Sequence, residues 1–238
     1  MDPSVPDPQP SFFRRFRWPI VAVVVLLLAV TAGPWVYISL FKAEPADRLS
    51  LDAVDPTPSD TEADPTLEGL WTITSQSAVQ YRVQETLFGQ AAEATGEARG
   101  ITGTATISDA GVDSLSVEVD VSSFASNEPM RDAQFEGRIM ETSEFPTANF
   151  ALSTPIAVEE WPTDGAEITV MATGDLTMHG VTNSVTFEVV VTRTGDSMAA
   201  IGSIPITFTD YGIDDPSGGP ASVGTTGELE LLLVFARR

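Results

Sequence analysis

Cysteine is absent from this 238-residue chain, and histidine occurs once. Without cysteine there is no disulfide framework, no thiolate zinc or iron–sulfur site, no thiol nucleophile and no N-terminal cysteine to carry a lipid. One histidine excludes any metal site that takes two from a single chain. Basic residues are scarce as well: 12 Lys plus Arg face 34 Asp plus Glu, a formal net charge of −22. Phosphate binding needs clustered Lys and Arg, so no nucleic acid is expected as a partner. The charge reads instead as a solvated exterior that resists association.

What is present divides along the chain. Residues 1–17 open with Asp2, Pro3, Pro6, Asp7, Pro8 and Pro10 and end on a basic cluster, Arg14, Arg15 and Arg17; they read as a disordered cytoplasmic tail. From Ile20 to Phe41 the chain is apolar, interrupted by Thr31, Gly33, Pro34 and Ser39. A bilayer core needs about 20 such residues in a helix, so 18–41 is expected to be a transmembrane helix. Trp18 stands at one end of it and Trp35 and Tyr37 near the other, where interfacial aromatics belong. The basic cluster orients the N-terminus to the cytoplasm and the remainder outside, a single-pass protein of the cell membrane. A cleaved signal is the competing reading: Ile20 to Val30 would be its apolar run and Thr31-Ala32-Gly33 its small-residue cut, giving a secreted protein. Residues 42–66, with Pro45, Pro56, Pro58 and Pro65 among Asp and Glu and no aromatic residue, read as a disordered, solvated linker.

Residues 67–238 change in kind. Val79, Tyr81 and Val83 alternate with Gln80, Arg82 and Gln84; Leu115, Val117, Val119 and Val121 alternate with Ser116, Glu118 and Asp120. Ala148, Phe150 and Leu152 continue the period, as do Ile168, Val170 and Ala172, and Val185, Phe187, Val189 and Val191. In the last run Leu229, Leu231, Leu233 and Phe235 share a face, while on the other face Glu228 and Glu230 give way to Leu232 and Val234. An antiparallel sheet with one wet side requires this pattern. About eight such runs at regular spacing predict an all-β domain, a single closed or nearly closed antiparallel barrel. One short helix is expected, with Asn127 as cap, Pro129 in the first turn, and Ala133, Phe135, Ile139 and Met140 toward one side. Eight strands close around an interior that side chains either fill or leave open for one slender ligand, and periodicity does not separate the two.

Several segments resemble a known family. Trp71-Thr72-Ile73 with Ser77, Val79 and Tyr81, then Arg131-Asp132, then Phe145-Pro146-Thr147-Ala148-Asn149-Phe150 are similar in order and spacing to motifs of the YceI-like family. Gly174-Asp175-Leu176-Thr177-Met178-His179-Gly180-Val181-Thr182 resembles its hairpin signature, and Ile204 through Asp210-Tyr211-Gly212-Ile213 its late strand. The resemblance covers about residues 70–238. It implies a lipocalin-like barrel outside the cytoplasm whose tunnel accepts a polyisoprenoid, with a polyprenyl lipid or quinone as cargo and no covalent chemistry. Tyr81, Phe150, Phe187, Phe208 and Phe235 are then the expected tunnel lining; ordinary core packing is the other reading of each. Thr86 to Glu97 departs from the family pattern, being short and acidic where relatives carry an apolar helix or loop near the mouth.

Other residues invite sharper chemistry. His179 reads as a turn residue, since no serine-nucleophile pattern accompanies it. Arg131 and Asp132 read as fixing the helix against the barrel, with a ligand-headgroup clamp as the alternative. Asp210, Asp214 and Asp215 lack calcium-loop spacing, and Glu159, Glu160 and Asp164 flank Trp161-Pro162 in a loop. No catalytic residue, metal ligand or cofactor is assigned, and the chain is not expected to be an enzyme. The alternative function is a cell-envelope interaction or adhesion domain with a packed core and no small ligand.

Overall fold

The computed structural model describes residues 18–19, 21–28, 32, 44–54, 67–163, 165–218 and 221–238, in two compact units, Met1–Glu44 and Pro45–Arg238. In the first unit, residues 18–19, 21–28 and 32 are helical, with exposed apolar side chains from Val21 to Leu28. The rest of the span expected at 18–41 lies outside the described residues, as do 1–17. Among the described residues no helix is long and apolar enough to cross a membrane.

Among its described residues the second unit holds eleven strands: β1 (Gly69–Ile73), β2 (Ala78–Leu87), β3 (Gln90–Ala98), β4 (Ile101–Ser108), β5 (Gly111–Asp120), β6 (Thr147–Thr154), β7 (Ile156–Ala157), β8 (Glu167–Met178), β9 (Val181–Thr194), β10 (Ser197–Thr207) and β11 (Ala221–Arg237). Eight of them, in the order β1-β4-β5-β6-β8-β9-β10-β11, form an antiparallel ring that closes where β11 pairs with β1. The remaining strands are additions to that ring. β7 pairs with β5, while the β2–β3 hairpin joins through β11. One edge of β11 is therefore divided: Ala221 to Leu232 face β2, and Phe235 to Arg237 face β1.

The period-two runs become strands with their apolar members inward, into one contiguous core that includes Trp71, Val79, Val117, Phe150, Leu176, Phe187, Ile204, Leu233 and Phe235. Two tight hairpins, Phe88-Gly89 and His179-Gly180, have positive φ at both residues (50° and 80°; 51° and 76°). These mirror-image turns match the twist of the strands they join.

Two local expectations change. The short helix spans Pro129–Gln134 and widens into a π-helical turn, Phe135–Ile139. Glu128, not Asn127, occupies the N-cap, with Pro129 in the first turn. The wider turn shifts the helical phase, so Ala133 is exposed while Phe135 and Ile139 pack on the core and Met140 is buried in it. The stretch Thr86–Glu97, expected as a variant mouth segment, is the tip of β2 and most of β3. Its Ala, Thr and Gly residues hide the alternation. Gly96 carries no side chain because the Tyr81 ring lies where its Cβ would project.

The assigned linker also contains structure. Residues 46–51 cross the outer face of the barrel, which departs from a fully solvated spacer. The Ala46 N–H donates to Thr95 Oγ1 (2.9 Å), Arg82 Nη2 donates to the Ala46 carbonyl (3.0 Å) and Gln80 Nε2 to that of Asp47 (3.0 Å). Arg48 reaches Glu230 at 2.5 Å and Glu228 at 3.0 Å. Beyond it a 3-10 turn, Leu51–Ala53, is capped by Ser50 Oγ. Leu49, Leu51 and Val54 pack on Ala199, Leu232 and Val234 with Ile201. This second cluster accounts for the change from Glu to Leu and Val on the outward face of β11. Residues 55–66 lie outside the described residues.

Candidate functional site

The barrel interior is the candidate site, and its chemistry is set by which side of the wall each polar group occupies. Strand register puts Val79, Tyr81, Ala94, Gly96, Leu229 and Leu231 on the inner side of β2, β3 and β11, and Gln80, Arg82, Thr95 and Glu230 on the outer side. Arg82 and Glu230, the two charged residues that are buried among the described ones, are 6% and 4% exposed. Both therefore belong to the outer face beneath residues 46–49. Opposite them the inner wall is apolar from Val79 to Val83, which suits an apolar chain; Glu85, the next residue on that side of β2, is 10% exposed at its side chain and lies 3.7 Å from Arg131.

The five expected lining residues all reach this interior, but they do not form a single cluster. Phe150 on β6 and Phe187 on β9 meet edge to face, ring centroids 5.6 Å apart at 72°. Tyr81 stands elsewhere, stacked on Phe135 at 5.1 Å and 14° and tilted against Phe124 at 5.7 Å. Phe208 lies on a 3-10 turn after β10, and Phe235 is buried on β11 opposite Ile73 of β1. Measured along β11, Phe208 sits beside Gly227, Tyr81 is level with Leu229, and Phe235 follows eight residues beyond Gly227. At about 3.4 Å per residue these side chains are distributed over roughly 27 Å of strand.

A recurring device seats the rings. Cβ atoms at Gly96 and Gly174 would lie within 3.0 Å of the Tyr81 and Phe150 rings. Those at Gly202 and Gly227 would stand 3.2 Å from the rings of Phe187 and Phe208. Four of the five aromatics thus occupy space that a neighbouring strand vacates by having glycine. Each ring lies against the wall, and at Gly174 and Gly202 a backbone carbonyl crowds the same position, Ala151 O at 2.5 Å and Glu188 O at 3.0 Å.

Tyr81 has a second role in shutting the gap beside β3. Its partners Phe124 and Phe135 come from the connection between β5 and β6, their own rings 5.3 Å apart. A bridge pairs Glu97 with Ala125 across the same place. Burial pushes the Tyr81 phenol up to about 12, with Asp132 and Glu85 adding to the rise and Arg131 opposing it. Phe135 carries a sequence signal, its helical spacing to Ile139, whereas Phe124 follows a 3-10 turn and has none. Trp71 is 1% exposed and donates from Nε1 to the Leu67 carbonyl at 2.9 Å, at the end of the barrel where β1 closes the ring.

The remaining polar candidates take structural positions. Arg131 approaches Glu85 at 3.7 Å and donates to Asn127 Oδ1 at 3.1 Å, while Asp132 accepts from the Ser126 N–H at 2.9 Å. They fix the helix to β2 and to its own entry loop. His179 lies in the β8–β9 turn with Nδ1 3.2 Å from the Tyr211 carbonyl and Nε2 3.2 Å from Glu141, its ring on Phe145. Asp210 accepts from Asn183 through its backbone carbonyl, and Asp215 Oδ1 accepts from the Ser217 N–H at 2.9 Å. Glu159 and Glu160 lie in the connection from β7 to β8, where Trp161 packs on the core; Asp164 lies outside the described residues. Among the described residues no three His, Asp or Glu side chains are grouped to hold a metal ion.

A family model described as the YceI-like domain matches residues 71–235. Two solved structures have similar folds. One is BcnA of Burkholderia cenocepacia, 20% identical with a TM-score of 0.55, the match covering 68% of this chain and 98% of that one. The other is a polyisoprenoid-binding domain from Saccharophagus degradans implicated in plant cell wall breakdown, 15% identical with a TM-score of 0.57, covering 71% and 98%. No curated protein matches the chain.

Proposed function

The chain belongs to the YceI-like domain family, and from that premise we propose that its barrel holds an apolar chain, a polyisoprenoid or similar lipid, as a carrier or store without covalent chemistry. The observation that carries this reading is the sorting of polar groups across the wall: both buried charges lie outside, and the inner face opposite them is apolar. The Saccharophagus degradans neighbour, named as polyisoprenoid-binding, supports the choice of ligand class. Each methylene leaving water contributes about 0.8 kcal/mol, so two isoprene units already supply several kcal/mol with no hydrogen bond. Rings laid against the wall over glycines give a smooth apolar lining that accepts such a chain without polar recognition.

The protein acts at a membrane, anchored by the apolar residues 20–41 with its basic N-terminal cluster in the cytoplasm and the barrel outside. The full chain, purified in detergent from membranes of its source cells, tests both parts. Native mass spectrometry with organic extraction is expected to find a stoichiometric polyprenyl lipid or quinone. An empty barrel that takes up no added prenyl lipid would remove the carrier reading and favour an interaction domain working through its surface loops. The anchor predicts that the chain stays in the membrane pellet through an alkaline carbonate wash. Release, with a mature N-terminus just past Thr31-Ala32-Gly33, would make it a secreted protein.

A further inference from the structure

We propose that Glu85 and Arg131 form a headgroup site on the inner side of β2, selecting an apolar chain that ends in an uncharged hydroxyl. The inference deepens the lipid-holding reading above and rests on it. β2 turns Val79, Tyr81, Val83 and Glu85 to one side of the sheet, so its apolar inner row gives way to a carboxylate two residues before the strand ends. Its neighbours in register are Ala92 of β3 and Val223 of β11, neither of which answers a charge. The Glu85 side chain is 10% exposed, and Arg131, from the helix that begins at Pro129, approaches it at 3.7 Å.

A recessed carboxylate is ordinarily both paired and hydrogen-bonded. Here the pairing is incomplete. Arg131 Nη2 and Glu85 Oε1 attract each other at 3.7 Å but stand beyond hydrogen-bond length. The other terminal nitrogen of Arg131, Nη1, donates to Ser126 Oγ at 3.4 Å and to Asn127 Oδ1 at 3.1 Å. Among the described residues nothing donates a hydrogen bond to the Glu85 carboxylate, and no wholly buried side-chain oxygen is left without a partner. The Glu85 oxygens are therefore reached by solvent, and a small group from outside the chain can reach them too. The electrostatics of the Tyr81 hydroxyl register Arg131, Asp132 and Glu85 together, so the phenol and the three charges share one place.

This arrangement decides the class of headgroup. Nη2 carries unfilled donors and Glu85 unfilled acceptors, facing each other across a short gap. A hydroxyl seated against both accepts from the guanidinium and donates to the carboxylate, answering the pair with one oxygen. An ether or ketone oxygen only accepts and leaves Glu85 unmatched. A diphosphate sets negative charge against Glu85, with Asp132 close by and Arg131 already shared. Beyond the hydroxyl, Val83, Tyr81 and Val79 lead an apolar chain along the inner wall.

The test uses the full chain in detergent, titrated with geranylgeraniol, its methyl ether and geranylgeranyl diphosphate, with occupancy read by native mass spectrometry at one detergent concentration. The alcohol is expected to bind at least about tenfold more tightly than the ether, and the diphosphate more weakly than either. Glu85→Leu should bring alcohol and ether to within about twofold of each other while still binding both. Glu85→Gln keeps the shape and removes the charge; it should narrow the preference for the alcohol and raise diphosphate binding at least about fivefold. The urea midpoint shows whether each variant is folded, and Glu85→Gln carries the test alone where Glu85→Leu is not. Equal affinity for alcohol and ether in the original chain, or a preference unchanged in the folded variants, overturns the headgroup site and leaves lipid binding in place. Failure of all three probes to bind overturns the lipid-holding reading itself, and the headgroup site with it.

Discussion

The two sides of one stretch of barrel wall are buried by opposite chemistries. Inward from β2 and β11 stand Val79, Tyr81, Leu229, Leu231 and Leu233, shielded by the other strands of the ring. Outward from the same strands stand Gln80, Arg82 and Glu230, shielded by residues 46–54, which belong to no strand. Inside, burial is driven by apolar area and directed by shape, each ring finding its glycine. Outside, every contact is a specific donor or acceptor until the small cluster around Leu232 and Val234 takes over. The difference teaches that a strand's polar face need not be a wet face. Its occupant can lie far away in sequence and carry no periodicity of its own.

The largest effect should come from the inner side. Trp71→Ala removes a side chain that is 1% exposed and is expected to cost about 3–5 kcal/mol, read as a lower urea midpoint at unchanged slope. A much smaller loss would mean that the end of the barrel is loosely packed. On the outer side, Arg82→Leu leaves Glu230 buried with Arg48, Gln80 and the Leu49 N–H to answer it. We expect a loss of about 3 kcal/mol, and recovery of most of it when Glu230→Leu is added, because a removed pair costs less than a broken one. If the single change is harmless, the outer face is wet and the comparison collapses.

The third test is alkaline. Tyr81 is raised in the fold from 10.0 to about 12, chiefly by burial. Its neutral form is therefore favoured by folding: stability is intact below pH 10 and falls by roughly 1.4 kcal/mol per pH unit as pH rises from there toward 12. Tyr81→Phe should flatten that limb of the pH–stability curve, and an unchanged limb would place the titration elsewhere. Smallest is Arg48→Ala. The arginine is 61% exposed, so the expected loss is below about 1 kcal/mol at neutral pH. Glu228 is held below its ordinary 4.5, first by the hydrogen bond from Arg48 and then by Ser203. A depressed carboxyl contributes stability above its unfolded value and loses it as pH falls through the folded one. The variant should therefore show a shallower acid limb.

How much of this was legible follows from the same contrast. Alternation marked the inner face of β2, β5, β6, β8, β9 and β11 because large apolar residues recur there at period two. β3 escaped because its inward positions are Ala94, Gly96 and Ala98, small so that Tyr81 can lie over them. Tyr81, Phe150, Phe187 and Phe235 could be placed inside from their parity alone, whereas Phe208 lies on a 3-10 turn that parity does not reach. Their pairing with glycines on other strands, and the Phe124 and Phe135 partners of Tyr81, depend on register across the sheet, which no local pattern carries. The outer site left one trace, the change from Glu228 and Glu230 to Leu232 and Val234 within β11. Its occupant, residues 46–54, reads as linker, since a segment held by side-chain contacts needs neither aromatics nor periodicity.

The divided edge of β11 has a consequence for how the molecule is made. The strand nearest the C-terminus is the one on which β10, β2 and β1 all depend, and the closing register joins Trp71 to Arg237. Contacts at such separation carry a large loop-closure cost before they return any stability, which makes ring closure a slow, late event. In a chain synthesised from its N-terminus, β1, β2 and β10 wait with unpaired edges until residues 221–237 arrive. Those waiting edges are where misassembly with other chains would begin. The high density of negative charge then has a use during biogenesis, holding unfinished barrels apart until the last strand arrives.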